Sequence, residues 1–310
     1  MSTILVGADA SERSEDAIAL ARTLGERSRA RLVLAAAVPG TPVGLVGGTA
    51  VAVLVQEALK EAQARLEATA ATLRESGYDV DCVARGFISA GRLLQTVAEE
   101  RAADLIVVGS TKTGRIGRVF SGSTAERLLH GAPCPVAVAP VGYRDVDHHR
   151  LRWIGVAFDG SDEAHAALRA GVALATRYGA QLDVLAVLDV MGFGAPALMG
   201  GPGYDRTRAD AEATARAHLE SVIAELAPEA RPTGWLLVGD PADELARFSK
   251  DLDLLLAGSR GYGPMRAVLL GGMSGRLIRE ASCPLLITPR GAEHPLEGLL
   301  ESGTAAATGS

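Results

Sequence analysis

Two glycine-rich stretches hold the residues of this chain best suited to chemistry. The first runs from Leu105 to Thr124, LIVVGSTKTGRIGRVFSGST, and the second from Leu254 to Ser274, LLLAGSRGYGPMRAVLLGGMS. Each begins as an apolar run of strand length and ends where a helical pattern starts. Glycine has no Cβ, so backbone N–H groups there can approach phosphate oxygens closely. A helix N-terminus just beyond adds further N–H donors and a favourable dipole. Both stretches are locally basic. Positions 109–123 carry Lys112, Arg115 and Arg118 and no acid, and positions 258–272 carry Arg260 and Arg266 and no acid. The candidate phosphate contacts are therefore Gly109, Ser110, Lys112, Gly114, Arg115, Gly122, Ser123 and Thr124 in the first stretch. In the second they are Gly258, Ser259, Arg260, Gly261, Gly263, Gly271, Gly272 and Ser274. Turn glycines with solvated charges are the plainer alternative. The copies also differ, because Lys112 stands where the second has Gly261, and Gly272 where the first has Ser123.

The elements that carry these stretches repeat as well. Gly109 and Gly258 are 149 residues apart, as are Gly122 and Gly271, Cys134 and Cys283, and Pro140 and Pro289. Asp9 and Ser11 match Asp159 and Ser161 at a distance of 150. A period this long is a duplicated domain and not a solenoid repeat. Each half shows short apolar runs alternating with helical patterns and no tight hairpin signal, which implies parallel sheets covered on both faces. Ser11 is placed to cap the first helix. The expected layout is a first domain over 1–141, a polar linker over 142–150, a second domain over 151–291 and a Gly/Ala/Ser/Thr-rich tail over 292–310 without order.

Composition narrows the function classes. With 48% hydrophobic and 22% charged residues, 310 residues can form two cores. A net charge of -6 and the lack of a long basic run argue against nucleic acid as a partner. Positions 32–55 carry no charge, but Pro39, Pro42 and several glycines would break a spanning helix, so no membrane span is expected. The three cysteines, Cys82, Cys134 and Cys283, have no metal or redox spacing and read as small buried hydrophobes. With no leader pattern at the start, they suggest a reducing cytoplasm. The Walker A pattern, G-x-S-x-G and ligand-spaced histidines are all missing from the sequence.

An Asp after the first strand, a G-x-x-G-x9-G-[S/T] loop after the fourth and a closing Cys-Pro strand together resemble the universal stress protein family. The resemblance covers both halves, roughly residues 1–290. It implies two tandem doubly wound α/β domains, each a five-stranded parallel sheet of order 3-2-1-4-5 with helices on both faces. It also implies ATP, with or without Mg²⁺, at the point where the winding reverses between strands one and four. In that picture Asp9 and Asp159 lie beside the nucleoside, and Gly7 allows close approach of the base. The backbones of Val38 and Leu188 would meet the adenine edge. The implied function is an adenine-nucleotide-binding stress-response regulator without efficient turnover. A slow ATPase or nucleotidyl-transfer enzyme, and a nucleotide-free scaffold for protein contacts, remain open beside it. The last strands, Pro135–Pro140 and Pro284–Pro289, are expected to meet in an intramolecular pseudo-dimer. A homodimer of the whole chain and a regulatory protein partner are compatible with this. The Gly- and Pro-rich segments Gly40–Thr49 and Met191–Tyr204 are expected to act as lids.

Overall fold

The structure is a computed structural model that describes residues 2–9, 11–28, 30–39, 49–110, 123–129, 131–145, 150–189, 202–259, 273–290, 296 and 299–300. The first half runs β1 (Thr3–Gly7), α1 (Glu12–Gly25), β2 (Arg31–Pro39), α2 (Thr49–Glu75), β3 (Val80–Phe87), α3 (Ala90–Arg101), β4 (Leu105–Gly109), α4 (Ser123–Leu129) and β5 (Val136–Ala139). The second half repeats it as β6 (Trp153–Ala157), α5 (Asp162–Tyr178), β7 (Gln181–Leu188), α6 (Pro202–Ala224), β8 (Pro232–Val238), α7 (Pro241–Phe248), β9 (Leu254–Gly258), α8 (Met273–Glu280) and β10 (Leu285–Thr288).

The strands read as unbroken apolar runs because both faces of the sheet are covered. Ile4, Leu5 and Val6 are all fully buried, with Ile4 and Val6 facing one core and Leu5 the other. Helices α1, α2, α5 and α6 contribute to the first core, and α3, α4, α7 and α8 to the second. Local signals fix several helix ends. Ser161 accepts a hydrogen bond from the Ala164 amide at 3.2 Å, and Gly179 closes α5 in the left-handed conformation. Asp240 accepts from the Ala242 and Asp243 amides at the start of α7. Ser11 differs from the expectation, since its hydroxyl turns back to Asp9 and makes no cap bond.

All ten strands form one sheet of order β3-β2-β1-β4-β5-β10-β9-β6-β7-β8. Neighbours within each half run parallel, and β5 meets β10 antiparallel. The two closing strands therefore join the halves, and each core contains side chains from both. The start of the linker segment is docked: Tyr143 is buried, and the buried Asp16 carboxylate accepts from the amides of Gly142 and Arg144, both at 3.0 Å. Within the tail expected to lack order, Leu296 and Leu299 are buried against the first core. Of the segments expected to act as lids, Gly40–Thr49 and Met191–Tyr204, positions 40–48 and 191–201 lie outside the described residues, while Thr49 opens α2 and Pro202–Tyr204 begin α6. No described helix is long and apolar enough to cross a membrane.

Candidate functional sites at two switch points

Strand order alone creates two crevices. β1 lies between β2 and β4, so the chain leaves β1 to one side and β4 to the other, and the gap opens at their C-terminal ends. The same holds for β6 between β7 and β9. A cavity occupies each of these places.

Cavity one, of about 150 Å³, is lined by Gly7, Ala8, Asp9, Arg13, Ser14, Ala35, Ala37, Ala90, Leu93, Leu94, Val108, Gly109 and Thr124. Asp9 organises its mouth. Its Oδ1 accepts from the Ser11 amide at 3.1 Å, from the Ser14 hydroxyl at 2.7 Å and from the Ser11 hydroxyl. Arg13 lies 3.4 Å from Oδ2, one helical turn on. Partial burial pushes the Asp9 carboxyl up. The donors from Ser11 and Ser14 and the Arg13 charge outweigh that and hold it below the usual carboxylate value. Asp9 thus anchors a turn and faces the cavity at once, so the two readings of such a residue are compatible. The Arg13 Nε is enclosed and has no hydrogen-bond acceptor.

Cavity two, of about 280 Å³, is lined by Ala157, Phe158, Asp159, Ser161, Ala164, Leu185, Val187, Asp189, Pro241, Leu245 and Gly258. Asp159 Oδ1 accepts from the Ser161 amide at 3.0 Å. Phe158 replaces Ala8 and forms a rigid aromatic wall. Its ring lies edge-on to His165 at 5.0 Å and stacks near His218 at 6.1 Å.

Of the residues singled out from sequence, Gly7, Asp9, Gly109 and Thr124 come together at cavity one, and Asp159 and Gly258 at cavity two. Val38, one residue before the end of β2, and Leu188, the last of β7, are not in the lining, which Ala37, Val187 and Asp189 supply there. Alternation along a strand explains the difference, since neighbouring residues face opposite sides. Ser110 and Ser259 are buried. The Ser110 hydroxyl donates to the Ala139 carbonyl at 2.7 Å, and the Ser259 amide to that of Thr288 at 2.9 Å. Ser123 opens α4, and Ser274 lies in the first turn of α8. Lys112, Gly114, Arg115, Gly122, Arg260, Gly261, Gly263, Gly271 and Gly272 lie outside the described residues. Sequence reasoning missed Arg13, Ser14, Phe158 and Asp189. The short step from Asp9 to Arg13 was a usable signal, because it spans the turn that opens α1 and lets the two side chains meet.

Comparison with known proteins agrees with this architecture. The model described as "Universal stress protein family" matches residues 1–140 and again 151–289. A universal stress protein of Mycobacterium tuberculosis is 31% identical over 212 residues, covering 65% of this chain and 69% of that protein. One from Mycolicibacterium smegmatis is 28% identical over 292 residues, covering 92% and 96%. The crystal structure of a universal stress protein from Archaeoglobus fulgidus superposes with a TM-score of 0.67 at 20% identity, covering 93% of this chain and 98% of that one, which speaks to the fold.

Proposed function

Because the chain belongs to the universal stress protein family, matched twice along its length, we propose that it is a stress-response regulator that binds adenine nucleotide at its two switch-point cavities and turns it over inefficiently. The observation that carries this reading is the placement of the cavities. Each lies at the crevice where open α/β sheets bind ligands, with an Asp on one side and the first glycine of a basic loop on the other. Asp9 and Asp159 would accept hydrogen bonds from ribose hydroxyls. The glycine-rich loops, with Thr124 at the start of α4, would take the phosphates. The enclosed, unspent Nε of Arg13 fits an anionic oxygen at the same place.

Slow turnover follows from the chemistry of Asp9. Its carboxylate already accepts three hydrogen bonds at Oδ1 and one from Arg13 at Oδ2 and is held below the ordinary pKa, which makes it a weak base towards water at neutral pH. We place the protein in a reducing cytoplasm, on the ground that its three cysteines are unpaired. The test is direct. Denaturing the purified protein should release adenine nucleotide, and added ATP should yield phosphate far more slowly than the enzyme median of about 10 per second. Protein that carries no nucleotide and gives no binding heat with ATP would instead be a scaffold.

A further inference from the structure

The two cavities are copies of one design, yet they differ in charge at one matched position. On the premise of the nucleotide reading above, we infer that cavity one selects a phosphorylated nucleotide through Arg13. Cavity two, whose described lining carries the carboxylates of Asp159 and Asp189 and no guanidinium, prefers the uncharged nucleoside.

Arg13 and Glu163 are 150 residues apart, the same step as Asp9 and Asp159. Both press their backbones against the first glycine of the loop. A Cβ built on Gly109 would lie 2.1 Å from the Arg13 carbonyl oxygen, and one on Gly258 would lie 2.7 Å from that of Glu163. Each side chain therefore leaves its helix where the glycine loop begins. In cavity one that side chain is a guanidinium with an enclosed Nε that has no acceptor. An enclosed donor without an acceptor is costly, and a phosphate oxygen would satisfy it with a charge-assisted bond. Glu163, at the matched position, is not in the described lining of cavity two; its carboxylate is 17% exposed and lies 3.5 Å from the Arg290 guanidinium, so the guanidinium that Arg13 brings to cavity one has no counterpart in the described lining of cavity two.

Other differences point the same way. Asp189 joins Asp159 in lining cavity two, where the first half has Pro39 at the matched position. Carboxylates accept from ribose hydroxyls and an exocyclic amine but repel phosphate. Phe158 in cavity two also gives a flat base a ring to lie against. The first loop carries three cations and the second two.

Calorimetric titration of the full chain with ATP and, separately, with adenosine tests this. The wild type should bind one ATP tightly per chain and show a second site that favours adenosine. Arg13→Glu should weaken the tight ATP site roughly tenfold or more, as expected for a lost charge-assisted bond, and leave adenosine binding at cavity two, which Arg13 does not line, within about twofold. Arg13→Gln, which keeps a donor without the charge, should fall between them and serves if Arg13→Glu does not fold. Glu163→Arg should create a second tight ATP site. Two equivalent ATP sites in the wild type, or ATP affinity unchanged in Arg13→Glu and Arg13→Gln while adenosine still binds, would overturn the division between the cavities and leave the nucleotide reading standing. Binding of neither ligand would overturn both.

Discussion

Two explanations for Gly109 and Gly258 cannot be separated from sequence alone. A loop glycine suits phosphate approach, but these two also let a helix lie directly on the strand end. A Cβ at Gly109 would sit 2.1 Å from the Arg13 carbonyl oxygen, and one at Gly258 would sit 2.6 Å from the Glu163 carbonyl carbon. Both obstacles are backbone, so α1 or α5 would have to shift. Gly109→Ala and Gly258→Ala should each destabilise the protein by about 1–3 kcal/mol, the usual cost of overpacking. Gly86→Ala is the control, because nothing lies within 4 Å of its added Cβ. Urea unfolding of the three variants without nucleotide checks this. Equal stability of Gly109→Ala and wild type would leave only the ligand to explain that glycine. The cysteines are simpler. Burial pushes the Cys134 thiol up to about 12 and raises Cys283 as well. Neither should react with a thiol reagent at pH 8 while the chain is folded, and mass spectrometry of the labelled protein should find both unmodified.

At the scale of elements, β7 and β8 depart from their partners in the first half. Val33 of β2 is matched by Asp183 of β7, a polar residue only 8% exposed on a sheet face. The compensation is local to the sheet. Trp235 on edge strand β8 donates its indole N–H to Asp183 Oδ1 at 3.0 Å, and its ring packs edge-on against Phe248 of α7 at 5.5 Å. Burial still raises the Asp183 carboxyl above its ordinary value, against the hydrogen bonds from Trp235 and Gln181. The folded chain then binds this proton more tightly than the unfolded chain does. Asp183 therefore costs stability as pH rises from the unfolded value, about 3.9, through its higher folded value, and the cost is complete above it. Asp183→Asn keeps an acceptor for the indole and removes the charge. It should be more stable than wild type at pH 7, with the gap closing as pH falls towards 3.5. A gap independent of pH, followed by urea unfolding, would assign the effect to packing. The order of elements was legible in the sequence because strand runs, helical spacing and loop glycines are local signals repeated in two copies. Cavity membership was less so. Arg13, Phe158 and Asp189 face a ligand crevice only because non-adjacent strands come side by side, and Ser110 leaves the loop because β5, 29 residues on, offers a carbonyl.

For the whole molecule, the halves meet as two subunits of a symmetric dimer would, within one chain. The pairing of β5 with β10 is reciprocal. Ala137 faces Leu286, its own repeat equivalent, while Val138 faces Leu285 and Val136 faces Ile287. The same two-fold relation recurs at the ends of α1 and α5. Arg27 donates to the Arg177 carbonyl at 2.7 Å, and Arg177 donates back to that of Arg27. Tyr178 adds its hydroxyl towards the Thr23 and Leu24 carbonyls, at 2.9 and 3.1 Å. Arg177 also donates to the carbonyls of Leu299 and Leu300, so these two residues are tied to the seam. Both cores run through the join, and Leu286 is fully buried in it. Neither half can lose its structure without exposing apolar surface of the other. The chain should therefore unfold in a single calorimetric transition although it holds two domains. Leu286→Asp would bury a charge without a partner at the centre of the seam and should cost roughly 3 kcal/mol or more. It should lower the melting of both halves together, so that calorimetry shows one transition at a lower temperature and the fluorescence of Trp153 and Trp235, which reports the second half, changes with it. Two separate transitions in the wild type, or a Leu286→Asp chain in which one half melts unchanged, would mean that the continuous sheet does not couple the domains.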